Sequence, residues 1–292
     1  MAEKEFKTIE EQIEILRSRG LSIQDDEQTK QFLLYHNYYR ISGYSLTLRR
    51  NDVFYPNSSM QNVMDIYAFD HEMRHLLLKY IEIIEVKVKS VYAYEFAQMY
   101  GCLGYRDESL FTNADQHGRV LGKAEEQRRS RLRHEPYLKH FEELGQDLPI
   151  WAYVDLLTIA DISFLYKISR DDLRKAVAER FVLHPQKGDE LLGRFMHSMT
   201  ILRNLCAHGS RLYNRIFQQK PHLSRKEQGF LRRNQDGRVN NAHLYGFLFI
   251  MKRMLSVRHF DVFRNELKNL TKRFPFVNLR YYGFHEDWDR NL

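Results

Sequence analysis

The sequence predicts an all-α protein, and three observations support this fold class. Apolar residues recur at three- and four-residue spacings, most clearly over 60–100 and 196–217, and this spacing is the period of an amphipathic helix. The 292 residues include only 14 Gly and 6 Pro, too few for the many turns of an all-β fold. At 43% hydrophobic and 28% charged residues, the composition is that of a globular chain.

Two short helices are predicted near the N-terminus. Thr8 and Glu11 form a Thr-x-x-Glu capping box for the first helix, and Gly20 is a typical helix stop. Asp25 or Asp26 caps the second helix, which runs to about residue 36. A helix pair of this size can bind DNA, but the second helix is poor in Arg and Lys. We therefore interpret the pair as a packing unit.

Residues 37–44 are rich in tyrosine and contain Arg40. Tyr39 and Arg40 could provide a base-stacking patch with a phosphate contact. The alternative is that the tyrosines of this segment pack two parts of the protein together. Residues 45–60 are predicted to be irregular, with a short hairpin at residues 51–52.

The longest predicted helix spans residues 60–100 and ends at Gly101. Asp70 and Arg74 are spaced i,i+4 and are predicted to pair on its surface. Glu85 lies further along the helix and could orient an arginine or a histidine of the candidate site described below. A solvated acidic face is the alternative interpretation.

A basic helix is predicted over residues 119–134, after a loop over 102–118. Arg128, Arg129 and Arg131 make it a candidate RNA-binding surface, because cations that neutralise phosphates release counterions. An ordinary exposed helix can have the same composition.

The remaining helices are separated by short connections. Trp151 is assigned to the buried side of one of them. Residues 218–241 are polar and basic, and we interpret them as an exposed, mobile connection. The helices are predicted over residues 135–147, 149–166, 171–181, 241–257 and 261–273.

The strongest functional pattern lies in residues 196–217, which are predicted to form one helix. At about 100° per residue, four of its polar residues fall within roughly 60° of one another on the helical wheel. An imidazole, an amide and several guanidiniums on one edge suit a phosphate, although solvated helix faces also carry such residues. The polar residues of this edge are Asn204, His208, Arg211 and Arg215, and the long side chain of Arg203, one position before Asn204, can swing toward them.

These side chains suit RNA cleavage, because RNA carries its own nucleophile in the 2′-hydroxyl. His208 would serve as general base or acid, and Arg203 would stabilise charge on the phosphate. Asn204 would orient His208 or the RNA backbone, and Arg211 and Arg215 would contact phosphates. No metal or other cofactor is expected, since Mg²⁺ prefers carboxylate ligands to such an edge.

Several sequence blocks resemble a known family. Arg203-Asn204-Leu205-Cys206-Ala207-His208 is similar to the Arg-Asn-x-x-x-His signature of HEPN ribonucleases. The surrounding sequence resembles the Abi-like proteins (AbiD/AbiF type) of bacterial abortive infection over nearly the whole chain. The similar blocks, in order, are residues 37–44, 69–74, 81–86, 149–151 and 283–288.

The resemblance implies a helical bundle of HEPN type over 59–292, preceded by a small helical extension over 1–58 that holds the Tyr-rich segment. It implies a metal-independent endoribonuclease that defends bacteria against phage by abortive infection. HEPN-type sites commonly juxtapose two copies of the motif, so the resemblance also implies a homodimer with a composite active site. A toxin of this kind needs control, by an unknown antitoxin or by a structured noncoding RNA.

The composition agrees with a polyanionic partner, since the net charge is +7 and the pI is about 9.2. No stretch approaches the roughly 20 apolar residues of a membrane helix, and no signal sequence is recognisable. Cys102 and Cys206 are too few for a disulfide scaffold. We expect a cytoplasmic protein that does not contact membranes. The alternative functions are a non-catalytic RNA-binding module that senses phage RNA and a helical interaction protein.

Overall fold

A computed structural model of the chain describes residues 5–181 and 187–292. These residues form fourteen helices and one two-stranded hairpin, β1 (Arg49–Arg50) with β2 (Val53–Phe54), which confirms the all-α prediction. The helices are α1 (Ile9–Ser18), α2 (Asp26–His36), α3 (Tyr38–Ser42), α4 (Met60–Tyr100), α5 (Ala114–Arg131), α6 (Pro136–Glu143), α7 (Ile150–Tyr153), α8 (Ile159–Ile168), α9 (Asp171–Glu179), α10 (Gly188–Ala207), α11 (Arg225–Gln228), α12 (Leu244–Met254), α13 (Val257–Arg273) and α14 (Trp288–Asn291).

Helix α4 is the central element of the fold. Its 41 residues begin after Ser59, which forms a capping box with Asn62, and end at Tyr100, directly before Gly101, whose φ is +79°. Such a helix is about 60 Å long, and helices α7, α8, α9, α10, α12 and α13 all pack against it. Its predicted bounds, residues 60–100, are confirmed.

Helix α10, which carries the candidate motif, packs between α4, α8, α9 and α12. Leu192, Phe195, Met196, Met199 and Leu202 are buried along its inner side. Burial of a large apolar side chain contributes about 1.5–3 kcal/mol relative to exposure. These buried side chains fix the inner face of α10 in the hydrophobic core, and the last turn of the helix reaches the surface.

The predicted helix caps and the predicted hairpin near the N-terminus are confirmed. Thr8 and Glu11 form the capping box of α1, and Asp25 caps α2. Asn51 and Asp52 form the hairpin turn with φ of +51° and +64°, as a type I′ turn requires. The buried residues of this segment belong to the same hydrophobic cluster as those of α4. The domain boundary after residue 58 stays a prediction.

Several helix predictions differ from the structure. The predicted helix over 149–166 is two helices, α7 and α8, because Leu157 is extended and Thr158 forms a capping box for α8 with Asp161. Trp151 is 58% exposed and not buried as predicted. Helix α5 begins at Ala114, earlier than predicted, because Asn113 caps it.

The segment 218–241 is less open than its composition predicts. Leu223 and Leu231 are buried, and Ser224 caps the short helix α11. Within residues 5–181 and 187–292, no helix has the combination of length and apolar character that crossing a membrane requires.

Candidate functional site

Helix α10 ends at Ala207, so the prediction of one continuous helix through the motif and beyond is wrong. Gly209 adopts a φ of +63°, a left-handed conformation that glycine tolerates without strain. Its N–H donates to the Cys206 carbonyl at 3.0 Å, and the Ser210 N–H donates to the Leu205 carbonyl at 2.9 Å. These two hydrogen bonds form a Schellman motif, which ends a helix and satisfies its last carbonyls.

The structure brings the three predicted catalytic residues together at this helix end. Arg203 and Asn204 lie in the last turn of α10, and His208 is the residue that caps it. The backbone N–H of His208 donates to the backbone carbonyl of Asn204 at 3.0 Å. The Arg203 guanidinium donates to the side-chain oxygen of Asn204 at 3.4 Å. Asn204 and His208 are exposed, and Arg203 is half-buried. The imidazole is therefore accessible to a large substrate.

Arg211 and Arg215 lie beyond the helix end, so their predicted place on a common helical edge is wrong. The Arg211 guanidinium donates to the Tyr213 carbonyl at 2.5 Å. The Arg215 guanidinium donates to the Arg211 carbonyl at 3.3 Å. Both side chains are half-buried, and these hydrogen bonds hold them close to the loop that follows His208.

Arg40 reaches the same loop from the N-terminal segment. Its guanidinium donates to the Gly209 carbonyl at 2.5 Å and lies 5.8 Å from the centre of the Tyr67 ring. Tyr39 is 81% exposed, so it does not pack parts of the protein together, whereas Tyr44 does. Arg40 is thus next to the motif, although the two are far apart in the sequence.

The loop after His208 is held by a buried carboxylate, that of Asp70 on α4. Asp70 is fully buried and forms an ion pair with Arg74, which is also buried. Their pairing is confirmed, but the prediction that they lie on the surface is wrong. The other donors to Asp70 are the Tyr44 hydroxyl at 2.8 Å, the Tyr282 hydroxyl at 2.8 Å, the Leu212 N–H at 3.2 Å and the Tyr213 N–H at 2.8 Å.

The charges of this network follow from its burial. Burial is the largest influence on the pKa of Arg74 and lowers it, but the Asp70 charge and the Tyr44 hydroxyl together raise it more, so the pKa lies above its ordinary value. Burial and the Asp70 charge raise the pKa of the Tyr44 and Tyr282 hydroxyls well above their ordinary values. Both tyrosines therefore remain protonated hydrogen-bond donors at neutral pH.

Sequence analysis missed the role of Asp70, although the pattern contains a signal for it. Asp70 follows Ile66 by four residues and precedes Met73 by three, so it lies on the apolar face of α4. A carboxylate on an apolar helix face must be buried together with donors that compensate its charge, because an unpaired buried charge is very costly. Nothing in the pattern indicates Tyr282, which comes from the far end of the chain.

The three predicted RNA-binding arginines of α5 have other partners. Arg128 pairs with Glu142 at 2.6 Å, and Arg129 pairs with Glu125 at 3.4 Å. Arg131 donates to a backbone carbonyl, that of Asp155, at 3.3 Å. In the described part of the chain, none of these contacts brings α5 to the end of α10.

Glu85, the predicted orienting residue, has its ion-pair partner on its own helix. Its carboxylate pairs with Lys89 on the same helix at 2.9 Å. Among the residues that the structure describes, it forms no ion pair with Arg203 and none with His208. Within the same residues, no group of three or more His, Cys, Asp or Glu side chains could hold a metal ion.

Cys206 lies inside the motif but faces the core and is buried. Burial raises the pKa of its thiol to about 12. Since the thiolate is the reactive form, Cys206 is a packing residue of α10 and not a nucleophile at neutral pH.

The comparison with known protein families agrees with these motifs. The model of the Abi-like protein family matches residues 31–214, more than half of the chain, and the match includes Arg40, Asp70 and the Arg203–His208 motif. No curated protein and no solved structure matches the chain. The chain therefore belongs to the Abi-like protein family, which indicates a role in abortive-infection defence against phage.

Proposed function

We propose that this Abi-like protein is a metal-independent endoribonuclease of HEPN type that acts in abortive infection. The observation that carries the proposal is the meeting of Arg203, Asn204 and His208 at one exposed helix end. The Asp70 network and Arg40 hold the loop that follows this helix end. Catalytic groups need this kind of support, because small displacements of a catalytic group greatly reduce rates.

In the proposed reaction, the RNA 2′-oxygen attacks the adjacent phosphorus, and the bond from phosphorus to the 5′-oxygen breaks. His208 accepts the proton of the 2′-hydroxyl or donates a proton to the leaving 5′-oxygen. Arg203 stabilises the charge that builds on the phosphate oxygens. Asn204 positions Arg203, since its side-chain amide oxygen accepts from the guanidinium, and its backbone carbonyl accepts from the backbone N–H of His208. The products carry a 2′,3′-cyclic phosphate and a 5′-hydroxyl.

The two proton transfers occur on opposite sides of the phosphorus, and one histidine serves both poorly. A second copy of the chain would supply the other histidine, so we propose a homodimer with a composite site. The exposure of Asn204 and His208 supports this arrangement, because the site is open to a second subunit. An unknown antitoxin or a structured noncoding RNA would control the enzyme until infection.

The test is RNA cleavage in EDTA by the wild-type protein and by the Arg203→Ala/His208→Ala variant. We expect cleavage by the wild type alone, with 2′,3′-cyclic phosphate ends mapped on total bacterial RNA. The matched control is Arg258→Ala/His259→Ala, which removes the same two side chain types from an exposed part of α13 and should cleave like the wild type.

Other outcomes would replace the proposal. Equal cleavage by the wild type and the double variant would place the active site elsewhere. RNA binding without cleavage, also in lysate from phage-infected cells, would support a non-catalytic RNA-binding module that senses phage RNA. In that module, His208→Ala would affect RNA affinity no more than the loss of any other single surface contact.

A further inference from the structure

The stretch from Arg203 to Arg233 carries an unusual set of cations. It contains eight Lys and Arg residues and a single carboxylate, Glu227. Among the described residues, none of the eight lies within 4 Å of a carboxylate oxygen, the limit for a salt bridge. The eight residues are Arg203, Arg211, Arg215, Lys220, Arg225, Lys226, Arg232 and Arg233.

The basic helix α5 is different, because Arg128 and Arg129 pair with glutamates there. The single carboxylate of the Arg203–Arg233 stretch offsets none of its eight cations. Glu227 pairs with Arg253 of α12 at 2.7 Å. Although burial opposes it, the hydrogen bonds from Arg253 and Ser224 hold the pKa of Glu227 below its ordinary value. The stretch therefore has an uncompensated positive charge, and such a surface attracts polyanions.

The first cations after His208 lie beside α10. Arg215 and Lys220 line a groove with Ile201 and Leu205 of α10. Further along the chain, His222 Nδ1 lies 3.2 Å from Arg194 Nη1 on α10. Since α10 rises about 1.5 Å per residue, Arg194 lies about 14 Å from Arg203. The chain after the site thus runs back along α10 as far as Arg194 and then crosses to α12, where Glu227, the neighbour of Lys226, pairs with Arg253.

The segment 218–241, here called the basic loop, is anchored to the core and presents its cations on a fixed support. At its base, the Phe217 N–H donates to the Ala242 carbonyl at 2.7 Å. Pro221 packs against Gly246 of α12, where an added Cβ would lie only 2.8 Å from the proline ring. Phe230 stacks with Phe249 at 6.1 Å.

The cations of the basic loop point the other way, into solvent. Lys220, Arg225, Lys226 and Arg233 are exposed. A positive surface on a rigid support binds a charged chain with little loss of loop entropy.

We propose that the basic loop binds the backbone of single-stranded RNA beside the cleaved phosphate, with Lys220, Arg225 and Lys226 as the principal phosphate contacts. The apolar surface of the groove, which includes the 73% exposed Ile216, contacts the unpaired bases. This inference rests on the proposed ribonuclease function and names the surface that holds its substrate. The RNA strand runs along α10 and on to α11, and it is guided by charge, not by base sequence.

The test measures RNA affinity at several salt concentrations. The probe is a fluorescent single strand of about 20 nucleotides with 2′-O-methyl riboses, which cannot be cleaved and covers a typical single-strand site. The loop variant is Lys220→Gln/Arg225→Gln/Lys226→Gln. The matched control, Arg119→Gln/Arg129→Gln/Arg133→Gln, removes three exposed cations at and just beyond the basic helix α5. Thermal unfolding verifies that both variants fold.

We expect the loop variant to lose affinity on the order of tenfold or more near 0.1 M salt. Its slope of log affinity against log salt should fall by about 2, since each phosphate contact on a single strand contributes about 0.7. The control should keep the wild-type slope. Equal losses in both variants, or a loss confined to the α5 control, would overturn the inference while leaving a wild-type protein that binds and cleaves RNA. A wild type without RNA affinity would overturn the inference and the proposed function together.

Discussion

At the scale of single residues, the charge of Asp70 determines how the loop after His208 is held. A buried ion pair gains little by itself, because removal of two charges from water costs as much as their attraction returns. Asp70 gains more, since it also accepts hydrogen bonds from two tyrosine hydroxyls and two backbone N–H groups. Each of these buried donors depends on the Asp70 carboxylate as its acceptor, so loss of the carboxylate would leave several of them without a partner.

We predict that Asp70→Asn destabilises the protein by about 3–5 kcal/mol, the usual cost of leaving one member of a buried ion pair alone. The asparagine keeps the size of the side chain, but it leaves the Arg74 charge unpaired and directs an NH₂ group toward other donors. The measurement is the free energy of unfolding in urea.

The control for this prediction is Glu72→Gln on the same helix. Glu72 forms an exposed ion pair with Arg273, and such pairs contribute about 0–1 kcal/mol. If both substitutions cost the same, the buried network does not contribute the stability that its geometry indicates.

At the scale of elements, the site depends on two helices, α3 and α10, that lie far apart in the sequence, so that no local sequence pattern links them. Helix α10 ends in a Schellman motif that turns the chain at Gly209. Arg40 of α3 then binds the Gly209 carbonyl, directly after His208. The guanidinium therefore fixes the position of a loop as well as adding charge to the site, and these two roles make different predictions.

We predict that Arg40→Gln lowers the cleavage rate by about tenfold or more, since a displaced catalytic group reacts slowly. RNA affinity should change little. Arg40→Lys should restore only part of the rate, because lysine keeps the charge but lacks the planar guanidinium. Single-turnover rates and RNA affinities are measured for both variants, with the exposed Arg50→Gln as control. A loss of affinity that Arg40→Lys restores in full would instead make Arg40 a phosphate contact.

At the scale of the whole molecule, regular patterns predicted the helices and local chemistry predicted many of their ends. The period of α4 and the capping residues Thr8 and Asp25 are confirmed. The prediction failed where a contact joins distant parts of the chain. Asp70 was placed on the surface because its partners, among them Tyr282, are far away in the sequence. The continuous motif helix failed at Gly209, since the helical wheel assumes a helix that the backbone does not continue.

The composite site predicts a dominant effect of inactive subunits. In a heterodimer of wild-type and His208→Ala chains, one of the two histidines is missing, so we expect excess variant to suppress wild-type cleavage. The rate is measured at fixed wild-type concentration with increasing His208→Ala protein, and with RNA in excess of both so that binding of RNA by the variant is not limiting. Light scattering on the same samples gives the oligomeric state.

The control for this mixing experiment replaces the variant by equal amounts of an unrelated carrier protein, which should leave the rate unchanged.

A mixture that keeps the full wild-type rate, with both proteins monomeric by light scattering, would mean that one chain performs both proton transfers. His208 would then need a second acid or base from its own chain. His243 is a poor candidate for that role, because it is half-buried, burial lowers its pKa, and one of its two ring nitrogens, Nδ1, is already bonded to the Arg215 carbonyl at 2.7 Å. His222 is no better, because it lies beside Arg194, about 14 Å along α10 from Arg203.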